Sequence, residues 1–191
     1  MVGIDATTLS LILHPSARPP KDPKTQKPVE RVEDRIEKLL EDLDADSERI
    51  IVPTPALCEF LVLAGKEGPE YLDKIRGMKT FLVKPFDEMA AIELAAIEYE
   101  SRSGGSKKGT STAPWTKVKF DRQIVAIAKV NECKRLYSDD GDVINFGEKA
   151  GLEVISTWKL PLPLAKQTNM FEDDKIKIAD PNPKRIVRTE D

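Results

Sequence analysis

The sequence carries a single histidine, His14, among 191 residues, and that scarcity removes several chemistries at once. A paired-histidine ribonuclease, a multi-histidine zinc site and a serine–histidine–aspartate hydrolase all need imidazoles the chain lacks, or partners not visible beside His14. His14 is therefore expected on the surface or in a loop, and any catalysis falls to carboxylates. Cysteine is nearly as scarce. Cys58 and Cys133 each lie inside an apolar helical pattern, so both read as small buried hydrophobes of a reducing compartment rather than as a disulfide. No apolar run approaches the roughly 20 residues of a membrane-spanning helix. The N-terminal MVGIDATTLSLILHP has neither a basic n-region nor a small-residue cleavage site, so a cytoplasmic protein with no membrane partner is expected. Positive charge is not in surplus either: 30 Lys and Arg stand against 33 Asp and Glu, a net charge of -3. A nucleic acid would have to be met by local basic patches rather than by a global field.

What is present is an alternation of short apolar runs and longer helical periodicities, the pattern of a parallel sheet with helical crossovers. Strands are expected at VGI (2–4), RIIVP (49–53), TFLVKPF (80–86), RLYS (135–138) and LEVIST (152–157). Helices are expected from TLSLILH, over the stripe Val29, Val32, Ile36, Leu39, Leu40 and Leu43, over TPALCEFLVLAGK, around EYLDKIR, over 87–101, over 120–134 and around VINFGEKAG. Thr54 followed by Pro55 suits a helix start. The proline-rich segment 15–28 reads as a loop, and SRSGGSKKGTSTAPWTKVK (101–119) as a basic loop. One domain is expected over 1–157, with inserts at about 14–48 and 101–119. Residues 158–191 read as an extended arm or tail.

The stretch RLYSDDGDV packs Asp139, Asp140 and Asp142 behind a strand. Like charges so crowded are either solvated or gathered around something positive. Other acids stand at comparable places: Asp5 ends the first strand, Glu59 lies on the helix after the second, and Asp121 opens the helix before the fourth. In an open parallel sheet, sites form beyond the carboxyl ends of the strands, and a helix running antiparallel to the strands starts at that same edge. Asp5 and Asp121 taken singly read as ordinary cap and helix-start acids. Glu59 interrupts LCEFLVLA, where a core-facing carboxylate would need a partner, although a solvent-facing position fits the periodicity as well. Gathered together, such oxygen ligands without His or Cys would suit Mg²⁺ or Mn²⁺.

Taken in order, GIDATTLSLIL, IIVPTPALCEFL, KFDRQIVAIAK and RLYSDDGDV resemble the PIN-domain family, whose members include ribonuclease toxins of bacterial toxin–antitoxin pairs. The resemblance lies in the ordered combination. It implies an α/β fold, a three-layer α/β/α sandwich with a central parallel sheet of about five strands, and an acidic pocket that binds Mg²⁺ or Mn²⁺ and cleaves RNA. Carried over to this sequence, it implies that Asp5, Glu59, Asp121 and Asp140 are the catalytic acids. The metal ligands would be Asp5, Asp121, Asp140 and Asp142. Ser138 matches a hydroxyl residue that can bond a neighbouring acid or phosphate, and Thr7 or Thr8 could line the pocket. Asp139 points to the opposite side of the strand and is left out. Lys107 and Lys108 of the basic loop suit phosphate contacts, with Trp115 to stack a base; a solubilising surface loop is the other reading. The helix near 29–43 reads as a decoration or as a homodimer element.

The leading expectation is a metal-dependent endoribonuclease, the toxin of a pair whose antitoxin places a basic side chain among the acids. The alternative is a PIN-like module that binds RNA or protein without cutting. A phosphate-signalling domain is disfavoured, because VKPF (83–86) follows the third strand and paired acids after the first strand are missing.

Overall fold

Ile50, Ile51 and Val52 are all essentially inaccessible to solvent, and they feed two cores. Ile50 and Val52 pack with Leu9, Ile36, Phe60 and Ile75, whereas Ile51 packs with Ile124, Ile127, Leu136 and Val154. Alternate side chains of a strand leave on opposite faces, so a continuous apolar run means a strand covered on both sides. The computed structural model describes residues 1–14, 16–102 and 111–163, with only the backbone described at 101 and 102.

Strands β1 (Val2–Ile4), β2 (Ile50–Pro53), β3 (Phe81–Lys84), β4 (Arg135–Tyr137) and β5 (Glu153–Ile155) form one sheet in the order β3-β2-β1-β4-β5. Every pairing is parallel. Helices α1 (Ala6–Leu13), α2 (Val32–Ala45), α3 (Thr54–Ala64) and α4 (Gly68–Gly77) bury their stripes in the first core. Helices α5 (Glu88–Arg102), α6 (Trp115–Val130) and α7 (Gly141–Lys149) cover the second. The result is the expected three-layer α/β/α sandwich around a five-stranded parallel sheet. No helix among the described residues is long and apolar enough to cross a membrane.

The α2 stripe is buried at Val32, Ile36, Leu39 and Leu43, so this helix is part of the first core. The polypeptide from Met1 to Pro161 forms one compact unit. It takes in the first residues expected in the arm: Trp158 packs on the first core and Leu160 is buried in it. Residues 164–191 lie outside the described residues.

Helix α6 begins five residues earlier than its apolar pattern suggests. Pro114 occupies its N-cap position, and Val118 is buried one turn ahead of Asp121 and Arg122. The last five residues of the expected basic loop are therefore helical, and this change matters for the site below.

The sheet also presses closely on α7. A Cβ added at Gly147 would lie 2.7 Å from a Val154 methyl, inside any real contact distance. Gly147→Ala is expected to destabilise the fold by about 1–3 kcal/mol through overpacking, even though alanine favours helix; a urea melt with a midpoint at or above that of the wild type would refute this.

Candidate metal-binding acidic site

β1 and β4 are neighbours, paired from Val2↔Arg135 to Ile4↔Tyr137. The chain leaves β1 toward β2 on one side, and leaves β4 toward β5 on the other. The crevice beyond their carboxyl ends is thus the switch point of the sheet, where such folds place their sites.

Two helix starts put acids there. Asp5 caps α1, its Oδ1 accepting from the Thr8 N–H at 2.7 Å. Asp140 caps α7, its Oδ1 accepting from the N–H groups of Asp142 (2.8 Å) and Val143 (3.4 Å). Aspartate is a favoured cap and its charge suits the positive end of the helix, so local helix chemistry alone brings both carboxylates to one rim. Ser138 joins them: its hydroxyl donates to Asp5 Oδ2 at 2.5 Å and accepts from the Asp140 N–H at 3.1 Å. The Thr8 hydroxyl donates to the Tyr137 carbonyl at 3.0 Å, tying α1 to β4.

Asp121 comes from α6 and is 5% exposed. One turn earlier, Lys117 donates from Nζ to Asp121 Oδ2 at 2.9 Å and to Asp140 Oδ2 at 2.6 Å. Asp142 Oδ2 accepts from the Ser111 hydroxyl at 2.6 Å. Asp121, Asp140 and Asp142 each offer a carboxylate oxygen within 4.8 Å of the others. Asp5 and Glu59 are not members of this triplet. Asp5 is linked to it through Ser138, and half-buried Glu59 through the mutual charge effects it shares with Lys117, Asp140 and Asp121.

Burial dominates the electrostatics. It pushes the Asp5 carboxyl up to about 6, against the hydrogen bonds from Ser138 and Thr8. It also pushes Asp121 up to about 6, opposed by Lys117 and reinforced by Asp140 and Glu59. Glu59 is raised chiefly by desolvation. For Asp140 desolvation is again the largest single influence, but Lys117 and the capped N–H groups together outweigh it and leave the carboxyl below its usual range. Lys117 loses some basicity to burial and regains more from its two carboxylate partners, so its ammonium is strengthened.

The donor set fits a hard divalent ion. It is all oxygen, it carries three negative charges, and an ammonium already bridges two of its members, as a cation would.

The remaining candidates are placed as follows. Thr7 is exposed on the first turn of α1. Trp115 opens α6 partly buried, with the Arg122 guanidinium 5.3 Å and the Lys119 ammonium 5.6 Å from its ring centroid, so stacking of a base would compete with those cations. Lys107 and Lys108 lie outside the described residues. Asp139 turns away from the triplet and accepts from the Thr157 N–H at 2.7 Å. His14 ends α1 and stacks on Tyr71 with ring centroids 5.8 Å apart. Cys133 is buried as expected, but Cys58 is exposed: α3 turns Pro55, Ala56, Leu57, Phe60 and Ala64 inward, which leaves Cys58 on its outer side. Two participants were not anticipated, Lys117 and Ser111. The spacing of Lys117 four residues before Asp121, on one helix face, was the available signal for the first.

Ser138→Ala tests the bridge. Oδ2 of the buried Asp5 would lose its donor while Oδ1 keeps the Thr8 N–H, which is expected to cost about 1–3 kcal/mol at pH 7. Denaturant titration reads this directly, and an unchanged midpoint would show that the bond contributes nothing.

No family model and no curated protein matches the sequence. Among solved structures, the chain is similar to VapC20 of Mycobacterium tuberculosis, a sarcin–ricin-loop-cleaving toxin, at 14% identity and a TM-score of 0.49, over 77% of this chain and 95% of that one. It is similar to VapBC2 from Rickettsia felis, bound to a DNA fragment from its promoter, at 15% identity and a TM-score of 0.50, over 82% and 98%. It is also similar to the DNA-bound VapBC from Salmonella typhimurium, at 16% identity and a TM-score of 0.48, over 82% and 97%. At such identities the likeness bears on the fold alone, a parallel five-stranded sheet between two helical layers.

Proposed function

We propose that the chain is a divalent-metal-dependent endoribonuclease that hydrolyses RNA phosphodiester bonds, the toxin member of a toxin–antitoxin pair acting in the cytoplasm. One observation carries this reading: Asp121, Asp140 and Asp142, from two separate elements, bring carboxylate oxygens within 4.8 Å of one another at the switch point of the sheet. Mg²⁺ or Mn²⁺ would be held by these three, with Asp5 as the fourth acid of the rim; when bound, the ion supplies charge neutralisation at the phosphate and activation of water. Asp5 reaches the rim held by the Thr8 N–H on one oxygen and the Ser138 hydroxyl on the other. Ser138 holds that carboxylate in orientation, and Glu59 adds negative charge on the α3 side. Thr7, Lys107, Lys108 and Trp115 are the proposed substrate contacts. The partner that neutralises the enzyme would be a protein presenting a basic side chain to the same acids, just as Lys117 does from within the chain.

The test incubates the purified full chain with mixed RNA, with EDTA or Mn²⁺, alongside Asp5→Asn. Cleavage by the wild type in Mn²⁺ alone, lost in the variant, is the expected result. Intact RNA in all lanes, or equal cutting by wild type and variant, would overturn the proposal.

A further inference from the structure

Lys117 stands where a cation is required. Its ammonium donates at 2.9 and 2.6 Å to one oxygen each of Asp121 and Asp140, two of the three acids whose oxygens cluster. A lysine ammonium is a compact point charge that can serve several acceptors at once. Here it neutralises part of a site that would otherwise hold three adjacent negative charges, one of them on a residue 5% exposed.

A divalent ion would draw on the same carboxylates. Mg²⁺ takes its ligands at about 2.1 Å with near-octahedral demands, and an ammonium bonded to the same two aspartates would stand against it as a second cation at close range. Two cations at the same pair of carboxylates repel each other, so each weakens the binding of the other. Lys117 has somewhere to go: its side chain is 42% exposed, and it springs from the first turn of α6, whose free N–H groups carry partial positive charge. Swinging outward unpacks nothing in either core. It also leaves the ammonium one helical turn from Asp121, beside any phosphate drawn to the rim.

Resting on the metal-site reading above, we propose that Lys117 is a built-in counter-ion whose ammonium competes with the divalent cation for Asp121 and Asp140 and, once displaced, becomes a phosphate contact for the substrate. Lys117 then has two opposed effects, hindering the metal and helping the RNA. A purely structural lysine would show neither.

The experiment titrates MnCl₂ calorimetrically into the full chain after EDTA treatment and dialysis, comparing wild type with Lys117→Met and Lys117→Arg. Lys117→Met keeps the length and loses the charge, so its Kd for Mn²⁺ should fall at least about tenfold, the worth of one charge-assisted hydrogen bond. Lys117→Arg should stay near wild type, since it retains a competing cation. At saturating Mn²⁺, Lys117→Met should raise KM for RNA. Acetylation of Lys117 by an N-hydroxysuccinimide ester, read by mass spectrometry on the wild type, should increase when Mn²⁺ is added. An equal or weaker Mn²⁺ affinity in Lys117→Met, or acetylation that Mn²⁺ does not change, overturns the role given to Lys117 while leaving the nuclease reading intact. Absence of Mn²⁺ binding by both wild type and variant overturns the site reading together with this one.

Discussion

Asp121→Asn is expected to abolish RNA cleavage and, in EDTA, to raise the melting temperature at pH 7. The two effects have separate causes. A bound divalent ion would supply several kcal/mol of charge stabilisation in the transition state, so losing one of the carboxylates that would hold it should lower the cleavage rate by at least about 10²-fold. The stability gain follows from the raised carboxyl. Burial lifts Asp121 from 3.8 to about 6, so the folded protein holds this proton more tightly than the unfolded chain does. Below about pH 4 the group is protonated in both states and contributes no difference. As the pH rises to 6 the unfolded chain ionises first, and the folded state is progressively disfavoured; above 6 the penalty is complete. At about 1.4 kcal/mol per pKa unit, relieving it is worth about 1–3 kcal/mol, or about 2–12 °C in a unit of this size. Melts of the EDTA-treated proteins from pH 4 to 7 should therefore converge at the acid end and separate toward neutrality. A variant that melts lower than wild type at pH 7 would mean that the Lys117 ion pair outweighs the cost of burial.

The layers of the fold were readable because their signals are local and periodic. All five strands sit inside the apolar runs that mark them, and the stripe on α2 follows a 3.6-residue repeat to four buried positions. The acids at the β1 and β4 ends were readable for a related reason. Asp5 and Asp140 are N-caps, and a cap is a sequence-local device that happens to face the carboxyl edge of a parallel sheet. The crowding in SDDGDV resolves three ways: Asp140 pairs with the Lys117 ammonium, Asp142 accepts from the Ser111 hydroxyl, and Asp139 is turned to Thr157.

What stayed hidden depended on phase and on long-range partners. Helix α3 is apolar nearly all round, so its sequence does not say which side faces in; Cys58, Val62 and Leu63 lie outward although their chemistry suggests the interior. The start of α6 was masked by composition. Residues 115–119 hold two lysines and a threonine beside a run rich in glycine and serine, which reads as loop, and only Pro114 and the buried Val118 mark the helix. With that turn unread, Lys117 had no fixed relation to Asp121, and the cation at the heart of the acidic rim went unnoticed. Its second bond, to Asp140, spans 23 residues, and no pattern along the chain encodes it.

Divalent metal is expected to stabilise the wild-type fold strongly and the Asp140→Asn variant much less. A ligand bound only by the folded state adds RT ln(1 + [L]/Kd), about 2.7 kcal/mol at a concentration 100 times its dissociation constant, which corresponds to a rise of about 5–11 °C for a unit of this length. Asp140 is the informative position because asparagine caps a helix as well as aspartate does. The bonds from the Asp142 and Val143 N–H groups can persist to the amide oxygen, so α7 keeps its start while the rim loses one charge and the strongest partner of Lys117. The variant should fold in EDTA near the wild-type stability, and a given Mn²⁺ concentration should then shift its melting temperature by less than half the wild-type amount. Adding Ca²⁺ in place of Mn²⁺ separates charge from geometry: an oxygen cluster that takes any hard cation will be stabilised by both, while one held to octahedral spacing will favour the smaller ion. Equal shifts in wild type and Asp140→Asn with every metal would place the ion elsewhere on the protein and remove the acidic rim from the mechanism.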